Sequence, residues 1–121
     1  MAEPIPVMQW SQVDGLAVVE ILSHDVTGPA AAKDMGEQLL ALWRSGQKRL
    51  VLNLSRVRVM SSTGFATILQ VWKQVEGGLC LCGLTPSVRL GADILSLSQY
   101  IHVYETEAEA VASFSAPETL S

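Results

Sequence analysis

The run Leu50-Val51-Leu52-Asn53-Leu54 is apolar on both faces, so no orientation of a strand built from it leaves a side that water can cover. Strands of this kind lie inside parallel sheets, with a strand on either side and helices over both faces. The flanking segments carry the helical period that such a sheet requires. Before the run, Ala30 or Ala31, Met35, Leu39, Leu42 and Trp43 form one stripe, which Gly46 ends as a C′ residue. After it, Phe65, Ile68, Leu69, Val71, Trp72 and Val75 recur at helical intervals until Glu76-Gly77-Gly78 stops the pattern. A right-handed crossover through the first helix lays residues 50–54 parallel to the Val- and Ile-rich run at 16–22.

The remainder of the chain fits around that centre. An irregular alternation at 7–13, the turn dipeptide Asp14-Gly15 and the run at 16–22 predict an opening hairpin whose first strand is an edge. Thr27-Gly28-Pro29 predicts a cap and an early-helix proline before the first stripe. Residues 79–84 predict a fourth buried strand. Thr85-Pro86 predicts a second cap with proline, opening a helix with Val88, Ile94, Leu95 and Leu97 on its apolar side. Gly91 within it costs about 1 kcal/mol relative to Ala, which predicts a short or irregular helix. Ile101, Val103 and Tyr104 read as a brief fifth strand. Thr106 and Glu109 have capping-box spacing, with Ala110, Val111 and Phe114 as the docking face of a last helix.

The expected fold is therefore α/β: a mostly parallel central sheet of about five strands, an N-terminal antiparallel hairpin and about four helices. A length of 121 residues suits one domain, with a core at about 6–115 and a flexible tail at 116–121.

Composition narrows the function classes. With 49% apolar and 17% charged residues the chain can build a substantial core. No stretch approaches the roughly 18–20 apolar residues of a membrane span, and residues 1–10 lack a secretion signal, so no membrane insertion and a cytoplasmic location are expected. A net charge of −4 argues against a nucleic-acid surface, although Arg56 and Arg58 border the second helix and suit an acidic partner, a phosphate or plain solvation. Cys80 and Cys82, two apart on one strand, point to the same face, fit neither a disulfide nor a zinc site, and read as buried small apolar residues. His24 and His102 share no metal-ligand spacing and read as surface or strand-end residues. No nucleophile with a base, carboxylate pair, metal set or phosphate loop is spaced for catalysis, so the expectation is a binding protein without metal or cofactor.

The working site expected from the residues is the turn Met60-Ser61-Ser62-Thr63-Gly64-Phe65, which joins the central strand to the second helix at the carboxyl edge of the sheet. A helix starting near Ser62 leaves its first four N–H groups without internal partners, so its entrance favours anions and hydroxyl caps. Plain capping accounts for one of the three hydroxyls, at about 1 kcal/mol. The other two, and a glycine that lets another surface come close, exceed what a cap requires.

In this layout the chain resembles the STAS domain, the fold of sulphate-transporter tails and bacterial anti-sigma factor antagonists. The resemblance rests on Val51-Leu52-Asn53-Leu54-Ser55, on Ser61-Ser62-Thr63-Gly64-Phe65 and on residues 77–88 with their Gly77-Gly78 and Thr85-Pro86, and it covers about 6–115. In the antagonists the turn reads Asp-Ser-Ser/Thr-Gly, and the first serine after the Asp is phosphorylated by a GHKL-type kinase. That serine falls on Ser62, the next hydroxyl on Thr63 and the glycine on Gly64. Ser61 stands in place of the Asp, which makes Ser61 a second candidate acceptor beside Thr63, and Asn53 stands where an Asp is common. The resemblance implies a regulatory module that docks an anti-sigma factor or kinase through Ser61, Ser62, Thr63, Gly64, Phe65 and Arg58, switched by phosphate at 61–64. The same fold also serves as a scaffold, or as an accessory subunit of transporters or lipid transport, without a phosphate switch.

Overall fold

The computed structural model describes residues 7–115; the tail expected at 116–121 lies outside the described residues. β1 (Met8–Val13) and β2 (Leu16–Ile21) pair antiparallel across Asp14-Gly15, where both turn residues adopt the positive φ that a two-residue hairpin demands. Next come β3 (Asp25–Val26), α1 (Pro29–Arg44), β4 (Leu50–Asn53), β5 (Val59–Met60), α2 (Ser62–Gln74) and β6 (Leu79–Cys82). The described chain closes with α3 (Pro86–Ile94), a single 3-10 turn at Leu97–Gln99, β7 (Val103–Tyr104) and α4 (Glu107–Ser115).

The main sheet has the order β1-β2-β4-β6-β7, and only its first pair is antiparallel. β4 sits in the middle, with Val51 opposite Val18 on one side and Cys80 on the other, as its two apolar faces require. Alternate residues then sort into two layers. Val19, Ile21, Leu50, Leu52, Leu79 and Leu81 face α1, α2 and α3, where Met35, Leu39, Ile68, Val71 and Val88 meet them. Leu16, Val18, Val51, Cys80 and Cys82 face α4 through Ala110, Val111 and Phe114. Burying each large apolar side chain contributes roughly 1.5–3 kcal/mol, and the larger layer holds the central helices in place.

Several local expectations are revised. β3 and β5 form a separate two-stranded parallel sheet, Asp25 opposite Val59 and Val26 opposite Met60; two-residue strands carry no period that a sequence reading can detect. The N-cap of α1 is Gly28, not Thr27, and no side chain caps this entrance; Pro29 at the first helical position has no N–H to satisfy. Gly46 does act as the C′ residue: its N–H reaches Trp43 O at 3.1 Å, and Gln47 N–H reaches Leu42 O at 3.1 Å.

Helix α3 buries Val88 and Ala92 but leaves Ile94 72% exposed, because Ile94 lies two residues, about 200°, around the helix from Ala92. Leu95, also expected inside, is the C-cap and is 46% exposed, whereas Leu97 is buried. The helix runs unbroken through Gly91. β7 retains only Val103 and Tyr104, with Ile101 buried just ahead of it. The capping box of α4 forms as expected: Glu109 N–H donates to Thr106 Oγ1 at 3.1 Å, and Thr106 N–H donates to Glu109 Oε1 at 3.3 Å.

Candidate functional site

Chain direction and hydrogen bonding together place the 61–64 turn. Leaving β4 at the carboxyl edge, the chain is fastened at each step: Leu54 N–H to Cys82 O at 3.0 Å, Ser55 N–H to Asn53 Oδ1 at 2.9 Å, and Val57 N–H to Leu54 O at 3.0 Å. The carbonyl of His24 then accepts from Arg58 N–H at 2.6 Å and from Val59 N–H at 3.2 Å, and Val26 O accepts from Ser61 N–H at 3.0 Å. The small β3–β5 sheet is thus the clamp that sets where α2 begins. Buried Val57 and Leu54 seat the loop in the core beneath it.

Ser61 is the N-cap. Its backbone is extended (φ −77°, ψ 164°), and its Oγ accepts from Gly64 N–H at 3.3 Å while its carbonyl accepts from Phe65 N–H at 3.2 Å. Ser62 and Thr63, the first two helical residues, are exposed. The three hydroxyls therefore divide, one occupied in capping and half-buried, two presented to solvent at the positive end of the α2 dipole. Thr63 and Thr67 also line a groove of about 280 Å³ between α1 and α2, with Lys33 and Glu37 across it.

Gly64 and Phe65 are buried, so neither presents a side chain at the surface. The surface that comes close to Gly64 belongs to the chain itself: a Cβ there would lie 2.7 Å from Met60 Cγ and 3.6 Å from Val26 Cγ1. Phe65 supports the turn from beneath and abuts α3 at Gly91, where a Cβ would stand 2.8 Å from the ring at Cε2. That contact accounts for a glycine in the middle of α3. Arg58 is exposed, and among the described residues no carboxylate lies within 4 Å of it, whereas Arg56 pairs with Glu20 at 3.1 Å. Val59, Leu90 and Ile94 are exposed apolar side chains, Val59 on β5 just ahead of the turn and the other two on α3, which packs beside β5.

A residue that the sequence reading misassigned is Thr85. It occupies the N-cap position of α3 but makes no cap; its Oγ1 donates to Val57 O at 2.7 Å and ties the site loop to α3. The Thr-Pro dipeptide marks a helix start, and nothing local to it reveals an acceptor 28 residues away. Asn53 likewise bridges two elements, with Nδ2 donating to Glu107 Oε2 at 3.0 Å.

Outside the turn, the two cysteines lie in the layer beneath α4. Cys80 and Cys82 are free and buried; desolvation, with Cys82 beside the first and Glu107 beside the second, pushes both thiols up to about 12, the opposite of an activated thiolate. His24 and His102 are exposed, and among the described residues no cluster of three or more His, Cys, Asp or Glu side chains could hold a metal ion. No helix among the described residues is long and apolar enough to cross a membrane.

A largely parallel sheet layered this way, with a hydroxyl-bearing helix entrance at its carboxyl edge, is accompanied by a match of the STAS domain profile to residues 29–110. The chain belongs to the STAS domain family. Within it, the chain is of the anti-sigma factor antagonist type. It is 31% identical over 110 residues to BtrV of Bordetella bronchiseptica, which is named as an anti-sigma factor antagonist; the match covers 88% of this chain and 93% of that protein. An anti-sigma factor antagonist from Mycobacterium paratuberculosis superposes with a TM-score of 0.80 at 20% identity, over 93% of this chain and 97% of the other. The unphosphorylated form of the antagonist SpoIIAA superposes at 0.73 with 19% identity, covering 89% of this chain and 96% of that one. The phosphorylated form of the Bacillus protein gives 0.64 at 18% identity, covering 89% and 99%. At such identities these structures speak for the fold.

Proposed function

We propose that this chain is a regulatory binding module that docks an anti-sigma factor at the α2 entrance, and that a GHKL-type serine kinase switches it by phosphorylating Ser62. The observation that carries the reading is the division of the hydroxyls: Ser61 is held in the cap, while Ser62 stands exposed on the first turn of α2. The relative BtrV, named as an anti-sigma factor antagonist, and the existence of SpoIIAA in two phosphorylation forms support it. In this reading Ser62, Thr63 and Arg58 meet the partner directly, and Val59, Leu90 and Ile94 add apolar contact area. Gly64 and Phe65 act from below, by holding the turn in register. Ser61 and Thr63 are the alternative acceptors.

The switch is one of charge. A phosphoserine adds about −1.5 to −2 to a surface whose neighbouring charges are mixed, with Arg58 ahead of the turn and Lys33 and Glu37 across the groove that Thr63 lines. Burying that charge against a partner without a matching cation costs several kcal/mol, and each 1.4 kcal/mol is tenfold in affinity. Calorimetric titration of the partner is expected to show Ser62→Glu binding at least about tenfold more weakly, with Ser62→Ala unchanged. Equal affinity for wild type and Ser62→Glu refutes the switch.

A second reading keeps the docking surface and drops the phosphate: a STAS scaffold, or a transporter or lipid-transport accessory. The serine at position 61 in place of the family Asp favours it. Intact-mass measurement after incubation with the kinase separates the two, since the scaffold gains no phosphate.

A further inference from the structure

We propose that the free edge of β1 pairs with the same edge of a second copy of this chain, giving a two-fold dimer with one continuous sheet. The inference rests on backbone direction and is independent of the phosphate switch. Across the Asp14-Gly15 turn, Val13 and Leu16 form the first bonded pair, and Leu22 N–H donates to Val7 O at 2.7 Å. Gln9, Ser11 and Val13 therefore direct their N–H and C=O groups toward β2, and Met8, Trp10 and Gln12 direct theirs away from it. Among the described residues no strand lies on that side.

Exposed edges are normally blunted by charge, proline, a bulge or shortness. β1 has none of these. Its sequence MQWSQV carries no charge, its register with β2 runs unbroken from Met8↔Ile21 to Val13↔Leu16, and it is six residues long. The opposite edge, β7, has only two residues. A strand edge that meets its own copy antiparallel is self-complementary, which is what a two-fold interface requires. Because the strand is uncharged, the approach brings no like charges together along it, even though the whole chain carries −4.

The outward-facing residues also set the register. With the two-fold axis at Trp10, Met8 faces Gln12 of the second copy and Trp10 faces its own equivalent. Trp10 is 47% exposed, too large an indole to be left half in water without consequence. Its side chain lies on the α1 face beside a groove of about 320 Å³ lined by Met8, Val19, Ala41 and Leu42. The pair of indoles is thus a cross-strand aromatic contact seated on apolar surface. Joining β1 to β1 gives five strands from each copy in a single sheet.

Sedimentation equilibrium from low micromolar to near-millimolar protein is the test. The expected result for wild type is a mass rising from the 13.0 kDa of one chain toward twice that value. Trp10→Lys, which sets two ammonium groups against each other, is expected to weaken the dimer about tenfold or more. Gln12→Pro is expected to do the same, since the N–H it removes is unused within one chain. A wild type that stays at the monomer mass throughout overturns the proposal, and so does a dimer that survives in both variants with intact far-ultraviolet dichroism. If either variant misfolds, wild-type amide exchange decides: protection of Met8, Trp10 and Gln12 must rise with concentration, and concentration-independent exchange overturns the proposal.

Discussion

The entrances of α2 and α3 look alike in sequence and work in opposite ways. Both begin with a hydroxyl residue in extended conformation, Ser61 at φ −77° and Thr85 at φ −68°. Ser61 accepts, taking Gly64 N–H within its own helix; Thr85 donates, giving its proton to Val57 O in a distant loop. One hydroxyl starts a helix, and the other positions the neighbouring element. The lesson is that a Ser or Thr before a helix has two roles, distinguished by which partner the fold brings within reach. Here the two roles converge on one feature, because the loop that Thr85 holds is the one that delivers Ser61.

Replacing the shared support beneath both entrances should have the largest effect. Phe65→Ala removes the ring that underlies the α2 turn and abuts Gly91 of α3, and urea denaturation should show a loss of about 3–5 kcal/mol. A loss below about 1 kcal/mol would mean that the entrances are held independently.

Next in size are substitutions that separate donor from acceptor. Ser61→Ala should cost about 1 kcal/mol, while Ser61→Asp keeps an acceptor at the cap and places negative charge at the helix start, so it should be neutral or stabilising. At position 85 the same acid should fail: Thr85→Asp sets an acceptor against the Val57 carbonyl, and Thr85→Val leaves that carbonyl without its partner at about 1 kcal/mol. Thr85→Ser should restore wild-type stability. If Asp is tolerated equally at both positions, the proposed difference between the entrances is wrong.

A third comparison lies on the far side of the sheet, is silent at neutral pH, and serves as a control for both entrances. Cys80 and Cys82 have thiols raised to about 12 by burial from an ordinary value of 9.0, so the folded state holds protons that the unfolded chain releases first. Their contribution is complete below pH 9 and is lost as pH rises toward 12. The Cys80→Ala/Cys82→Ala protein should show a shallower decline of stability with pH over that interval. An identical slope would show that the thiols are not protected as the buried α4 layer implies.

The layers of this protein were legible from its residues alone. The two-sided apolar run at 50–54, the stripe that ends at Gly46, the Asp14-Gly15 hairpin and the Thr106/Glu109 capping box all depend on neighbours within a few positions along the chain, and each formed where its spacing put it. The candidate turn was legible for a similar reason, since three hydroxyls in a row before an amphipathic helix are a local pattern. Tertiary structure alone decided which of them capped, that Gly64 and Gly91 were needed for Met60 and Phe65, that Thr85 would reach Val57, and that β3 would clamp β5. Each of those outcomes turns on a contact or bond geometry that periodicity does not record. A hydroxyl or a missing Cβ has no meaning until folding supplies the group it meets.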